Sequence, residues 1–106
     1  MEISATELKE KLDKGEEIVL LDIREPHELQ IARLDNTVHI PMGELASRLH
    51  DLEKYKNKEI VVYCRTGNRS LNCTEFLINK GFPKTQNLTG GIHAWSDEVD
   101  PEVMKY

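Results

Sequence analysis

Two short apolar runs constrain this chain more than any other feature. Ile18-Val19-Leu20-Leu21 and Ile60-Val61-Val62-Tyr63 are continuous, rich in β-branched residues and free of polar alternation. A strand with one wet face alternates apolar and polar side chains, whereas a short run without alternation suits a strand buried on both faces. Patterns of helix and strand alternate along the whole chain. Together these features predict a small α/β domain, with a mostly parallel sheet and helices on both faces.

Taken in order, residues 4–14 read as a covering helix. Ser4 and Glu7 form a capping box, Leu8 and Leu12 share a face, and Gly15 stands where the helix should stop. After the strand at 18–22 comes a short helix over 26–31, with Pro26 in its first turn. A short strand at 37–40 is stopped by Pro41. Leu45, Leu49 and Leu52 then stand at helical spacing and predict a helix over 42–52, followed by a polar loop at 54–58. The second buried strand covers 59–63. A helix over 70–80 places Cys73, Phe76 and Leu77 on one face and ends at Gly81. A strand at 85–88, a Thr89-Gly90-Gly91 turn that lets backbone pass close to a neighbour, and a helix over 92–98 complete the pattern. Trp95 is expected in the core. The residues from 99 to 106 are expected to be irregular and to dock by their apolar side chains.

The 106 residues read as a single domain, 1–106, able to bury one core without disulfides. Hydrophobic residues make up 39% and charged residues 31%, a globular balance. No apolar run approaches the roughly 20 residues of a membrane span, and no basic and apolar leader is visible. A net charge of −5 argues against non-specific nucleic-acid binding as the main role, so neither a nucleic acid nor a membrane is an expected partner. Two cysteines do not make a disulfide framework, and a reducing cytoplasm is the expected setting. His27, His39, His50 and His93 have no ligand partners at recognisable spacing, so no metal site is expected and each reads as a surface or loop histidine.

The chemistry concentrates where the second buried run ends, at Cys64-Arg65-Thr66-Gly67-Asn68-Arg69-Ser70. A helix N-terminus presents unpaired N–H groups and the positive end of the helix dipole. A short loop relaxed by Gly67 can turn several N–H groups onto one point. Cysteines at such places, near arginines, have pKa values of roughly 3.5–7.5 rather than about 8.5. Cys64 therefore reads as a nucleophile, largely thiolate at neutral pH. The plainer reading is a small buried apolar residue at a strand end, but the polar, basic and glycine residues that follow do not suit it. Cys73 does take that plainer reading. Asp22 and Arg24 lie at the carboxyl end of the first buried strand, where ligands gather in parallel sheets. They read either as an ion pair fixing the loop or as a direct substrate contact.

The same residues resemble a family. Cys64-Arg65-Thr66-Gly67-Asn68-Arg69-Ser70 is similar to the active-site loop of single-domain rhodaneses, which commonly read Cys-Arg-x-Gly-x-Arg-Ser. Leu21-Asp22-Ile23-Arg24-Glu25-Pro26-x-Glu28, His39-Ile40-Pro41 with Glu44-Leu45, and Asn87-Leu88-x-Gly90-Gly91-x-x-x-Trp95 resemble three further signatures, in order, from Ile3 to Trp95. The middle loop departs from the common pattern. Ala32-Arg33-Leu34-Asp35-Asn36-Thr37 replaces Gly-His-Ile-Pro-Gly-Ala, and Arg33 stands where the family's usual histidine would. This variant, with the ending Asp100-Pro101-x-x-x-x-Tyr106, resembles rhodanese domains fused to adenylating enzymes of molybdopterin and thiocarboxylate pathways.

The resemblance implies a rhodanese-like domain that works as a thiosulfate sulfurtransferase. Cys64 would take sulfur from thiosulfate or from a protein persulfide, such as that of a cysteine desulfurase. It would then pass the sulfur to cyanide, a thiol or a sulfur-acceptor protein, with a covalent persulfide and no cofactor. Arg65, Thr66, Gly67, Asn68 and Arg69 would bind substrate or persulfide, with the N–H groups from 65 through 69 as the cradle, and Asp22, Arg24 and Ser70 would support them. The alternatives are a binding or regulatory module without turnover, a redox-sensing thiol, and a thiolate phosphatase. Thiolate phosphatases place five residues between Cys and Arg, whereas four separate Cys64 from Arg69.

Overall fold

A computed structural model describes residues 1–106. Five strands, β1 (Glu2–Ile3), β2 (Ile18–Asp22), β3 (Thr37–His39), β4 (Glu59–Tyr63) and β5 (Thr85–Leu88), form one sheet in the order β1-β5-β4-β2-β3. Every neighbouring pair is parallel. The helices are α1 (Ala5–Asp13), α2 (Pro26–Leu29), α3 (Asn68–Asn79) and α4 (Gly91–Glu98). None is long and apolar enough to cross a membrane.

The two unalternating runs lie side by side as β2 and β4, in register from Ile18↔Glu59 to Asp22↔Tyr63. Successive side chains point to opposite faces of a sheet. Leu21, Ile60 and Val62 accordingly join Cys73, Leu77 and Phe82 on one face, while Leu20, Val61 and Tyr63 join Leu8, Leu88 and Ile92 on the other. A core on each side confines polar residues to the strand ends, Asp22 in β2 and Glu59 in β4, which is why the pattern between them does not alternate. α1 begins as the sequence predicts: the Ser4 hydroxyl accepts the Glu7 N–H at 3.1 Å, and the Glu7 carboxylate accepts the Ser4 N–H at 3.0 Å.

Several boundaries differ from expectation. The helix expected over 42–52 is instead two 3-10 segments, Met42–Glu44 and Leu49–Tyr55, so the expected loop at 54–58 is partly helical. Leu49, Leu52 and Tyr55 recur every three residues, which suits three residues per turn better than 3.6. The Ser47 hydroxyl also donates to the Glu44 carbonyl, offering the backbone a local alternative to helix. α2 ends at Leu29 rather than 31, and β3 ends at His39 rather than 40. α3 begins at Asn68, two residues earlier than expected, because Gly67 in the left-handed conformation (φ 102°) makes the turn by itself. β1 was not foreseen, since two residues carry no period and the strand exists only through its pairing with Asn87 and Leu88. Trp95 is half-buried, packed against the edge of one core rather than inside it.

With all strands parallel, their carboxyl ends open onto one edge. There Asp22 and Arg24 form an ion pair with both side chains fully buried, Nη2–Oδ2 2.7 Å and Nε–Oδ1 3.0 Å. Of the two readings open for these residues, the geometry is that of the loop-fixing pair. Arg24 also donates to the Ala32 carbonyl at 2.8 Å, and its own carbonyl accepts the His39 Nε2 proton at 2.7 Å. His39 is therefore a structural tie from β3 to the loop after β2 rather than a loose loop histidine. Burial works against the Arg24 charge, but Asp22 and the Tyr106 hydroxyl outweigh it and raise the pKa. Removing one partner of a buried pair strands the other charge, at about 3–5 kcal/mol. Asp22→Ala is expected to lower the unfolding free energy by about that amount, read as an earlier midpoint in urea titration.

Candidate active site

β4 delivers Cys64, and α3 begins four residues later. The Cys64 side chain is only 1% exposed. Its sulfur receives the Gly67 N–H at 3.1 Å, the Ser70 N–H at 3.4 Å and approach of the Ser70 hydroxyl at 3.3 Å. Of the N–H groups expected from 65 through 69 only that of the turn glycine reaches the sulfur, and Ser70, expected as a supporting residue in the first turn of α3, supplies the other donors. Buried Asn87 on β5 holds the arrangement from behind. Its amide NH2 donates to the Gly67 carbonyl at 3.2 Å, and its amide oxygen accepts from the Ser70 hydroxyl. A hydroxyl has one proton, so Ser70 can share it with Asn87 or turn it to the sulfur.

The Thr89-Gly90-Gly91 turn approaches the start of this loop. The Cys64 carbonyl accepts the Ile92 N–H at 2.9 Å, and the Arg65 carbonyl accepts the His93 N–H at 3.1 Å. Gly91 has φ +60°, and a Cβ there would stand 2.5 Å from the Cys64 oxygen and 2.6 Å from the Arg65 carbonyl carbon. No side chain fits, so this glycine is what allows α4 to start against the loop.

The two arginines take different roles. Arg65 is exposed; its guanidinium lies 5.3 Å from the centre of the Tyr106 ring, and its Nε approaches His93 Nε2 at 3.4 Å. Arg69 is half-buried and donates through both Nη atoms, at 2.8 and 2.9 Å, to the two carboxylate oxygens of Glu28. Glu28 also accepts the Glu25 N–H at 2.8 Å and the Tyr106 hydroxyl at 2.9 Å. The Arg69 fork, together with the Glu25 N–H, the Tyr106 hydroxyl and the Arg69 charge, outweighs burial and holds the Glu28 carboxyl well below its usual range, at about 2. The Glu28 carboxylate in turn raises the Arg69 pKa against burial.

Thr66 and Asn68 are exposed at the rim. Cys73 is buried; burial first, then the neighbouring Cys64, pushes its thiol up to about 11. Sequence reasoning gave no site role to Glu28, Asn87, His93 or Tyr106. Glu28 and Asn87 stood inside the quoted motifs, and that was the available signal. Tyr106 stood in the quoted ending, but nothing local marks it, or a histidine on α4, as a neighbour of Arg65. The donors around the sulfur are N–H and hydroxyl groups, a set suited to an anion, and no three His, Cys, Asp or Glu residues stand where they could hold a metal ion.

A cysteine at the focus of a strand–loop–helix turn, on the carboxyl edge of this parallel sheet, has known counterparts. Residues 4–98 match the model of the rhodanese-like domain. The chain belongs to that family. It is 42% identical, over 95% of both chains, to YtwF of Bacillus subtilis (strain 168), a protein provisionally named a sulfurtransferase. It is 34% identical, over 98% of its length, to a quarter (25%) of the adenylyltransferase and sulfurtransferase MOCS3 of Arabidopsis thaliana, in line with the variant middle loop and ending. A crystal structure of a rhodanese-like domain protein from Staphylococcus aureus superposes with a TM-score of 0.83 at 30% identity, covering 100% of this chain and 99% of that one.

The Glu28 shift predicts a pH dependence. A carboxyl whose folded pKa is about 2 against an ordinary 4.5 contributes stability above the ordinary value, and that stability is lost as pH falls toward 2. Glu28→Gln is expected to cost on the order of 2 kcal/mol at neutral pH, allowing for screening at the partly exposed Arg69, and to flatten the acid limb of stability. Denaturant unfolding of both proteins from pH 7 down to pH 2 measures it.

Proposed function

We propose that this chain is a sulfurtransferase whose sulfur carrier is a persulfide on Cys64. The observation that carries the reading is the convergence of N–H and hydroxyl donors on one buried sulfur at a helix N-terminus. Such donors stabilise a sulfur anion and do not change position when one forms. Sulfur transfer among the relatives supports the same class.

In the first step the Cys64 thiolate attacks the outer sulfur of a donor such as thiosulfate. A new S–S bond forms, the old one breaks, and sulfite leaves with the bonding pair. A protein persulfide serves equally, its parent thiolate then being the leaving group. In the second step a thiophilic acceptor, such as cyanide, a thiolate or a sulfur-carrier protein, attacks the outer sulfur of the persulfide and Cys64 departs as thiolate. This is ping-pong nucleophilic catalysis, with the nucleophile regenerated and no cofactor consumed. Arg65, exposed at the rim, is the cation an anionic donor meets first. Arg69 contributes to the local field while its fork is committed to Glu28. That commitment also weighs against a phosphatase, which would need the arginine fork for phosphate.

Intact mass after mixing with excess thiosulfate, desalted without reductant, is expected to rise by one sulfur atom in the unsubstituted protein and not in Cys64→Ala. A gain retained in Cys64→Ala would overturn the assignment. If neither protein gains sulfur, a persulfidated cysteine desulfurase is the donor to apply, and failure there too would end the reading. Arg65→Ala is expected to raise KM for thiosulfate several-fold, and for a neutral sulfur donor by less. Steady-state kinetics with both donors decides it, equal changes speaking against the electrostatic role.

A further inference from the structure

Tyr106 stands at the far end of the sequence, yet it touches the residues around Cys64 in several ways. Its hydroxyl accepts from Arg24 Nη1 at 2.7 Å and donates to Glu28 Oε1 at 2.9 Å. The direction is fixed, because a guanidinium can only donate and a carboxylate can only accept. Its ring lies under two guanidinium groups, 5.3 Å from that of Arg65 and 5.7 Å from that of Arg24, within the range of cation–π attraction. Its N–H is directed at His93 Nε2 at 3.3 Å, the same atom that Arg65 Nε approaches.

The tail that carries Tyr106 is fastened rather than draped. The Ser96 hydroxyl donates to the Val103 carbonyl at 2.6 Å, Lys105 pairs with Asp97 at 2.6 Å, and the Val103 N–H donates to the Asp100 carbonyl at 3.1 Å. The first two anchor the tail to α4, whose first N–H groups hold the carbonyls of Cys64 and Arg65, and the third is a turn within the tail itself. Tail, helix and loop form one connected body.

We propose that Tyr106 is a positioning residue that sets the charge selectivity of this site: its ring holds the Arg65 guanidinium at the rim, and its hydroxyl holds the Glu28 carboxylate that grips Arg69. Without the ring, Arg65 keeps only the long approach of its Nε to His93, and its charge spreads over more rotamers. Without the hydroxyl, Glu28 loses a donor and Arg24 an acceptor, and the grip on Arg69 loosens. The inference rests on the reading of Cys64 as the reacting thiol, but it needs no particular sulfur donor. It concerns the preference of Cys64 for anionic over neutral reactants.

The test uses two alkylating agents of similar size that differ in charge, iodoacetate and iodoacetamide. Rates of modification at Cys64 are followed by peptide mass mapping, which separates it from Cys73. The proteins are the unsubstituted chain, Tyr106→Phe and Tyr106→Leu, each first shown to be folded by its thermal transition. The ratio of the iodoacetate rate to the iodoacetamide rate is expected to fall several-fold in Tyr106→Leu. Tyr106→Phe, which keeps the platform for Arg65, is expected to recover at least half of that loss on a logarithmic scale. Equal changes with both reagents, leaving the ratio unmoved in Tyr106→Leu, would reduce Tyr106 to a structural prop and overturn the inference while leaving the sulfurtransferase reading intact. Absence of modification at Cys64 in the unsubstituted protein would instead overturn the reactive-thiol reading, and this inference with it.

Discussion

A loop can turn its N–H groups inward only by turning carbonyls outward, and each of those carbonyls must find a donor or lose the free energy of a hydrogen bond. The segment between β4 and α3 lives under that constraint. Gly67 and Ser70 spend their N–H groups on the Cys64 sulfur. The carbonyls of Cys64, Arg65 and Gly67 are then received by the N–H groups of Ile92 and His93 and by the amide of Asn87. The side of the loop that faces the sulfur is therefore only as stable as its outer side. That outer side is built by β5, the two-glycine turn and α4, and Gly91 is the residue that lets the two backbones meet.

Charge is organised on the same plan. The protein carries a net −5, yet its carboxyl edge gathers Arg24, Arg65 and Arg69. Two of the three are paired at once, Arg24 with Asp22 in full burial and Arg69 with Glu28 at partial exposure. Buried pairs are poor sources of stability, because desolvation offsets most of the attraction. Their contribution here is geometric: Arg24 ties Asp22, Ala32 and Tyr106 together, and Glu28 ties Arg69, Glu25 and Tyr106. Arg65 remains the exposed positive charge of the three.

Much of this was legible in the sequence, and what was not has a common cause. The strands β2 and β4 were visible because burial on both faces leaves a local mark, the absence of alternation. α1 was visible because a capping box is a contact between residues three apart. The focus of the loop was visible because cysteine, glycine and two arginines crowd into six residues. The helix expected over 42–52 failed where leucine spacing fitted two periods and the Ser47 hydroxyl could compete for the backbone. β1 and the contacts of Tyr106 were invisible because they exist only through partners distant in sequence, Asn87 for Glu2 and Arg24, Glu28 and Arg65 for Tyr106. Glu28 lay between these cases: its helix-capping role reads locally, while its hold on Arg69, forty-one residues on, does not.

The span of these partners bears on how the protein is made. The sulfur receives its donors from a loop whose outer carbonyls wait for Asn87, Ile92 and His93, and β5 in turn pairs with β1 at the other end of the chain. A chain emerging residue by residue exposes Cys64 long before those partners exist, and contacts of such sequence separation close late in folding. During that interval Cys64 is an ordinary thiol in water, with a thiol's modest nucleophilicity. The donors that the proposed persulfide chemistry calls on belong to the closed structure alone, so an incomplete or misfolded chain carries the cysteine without its cradle.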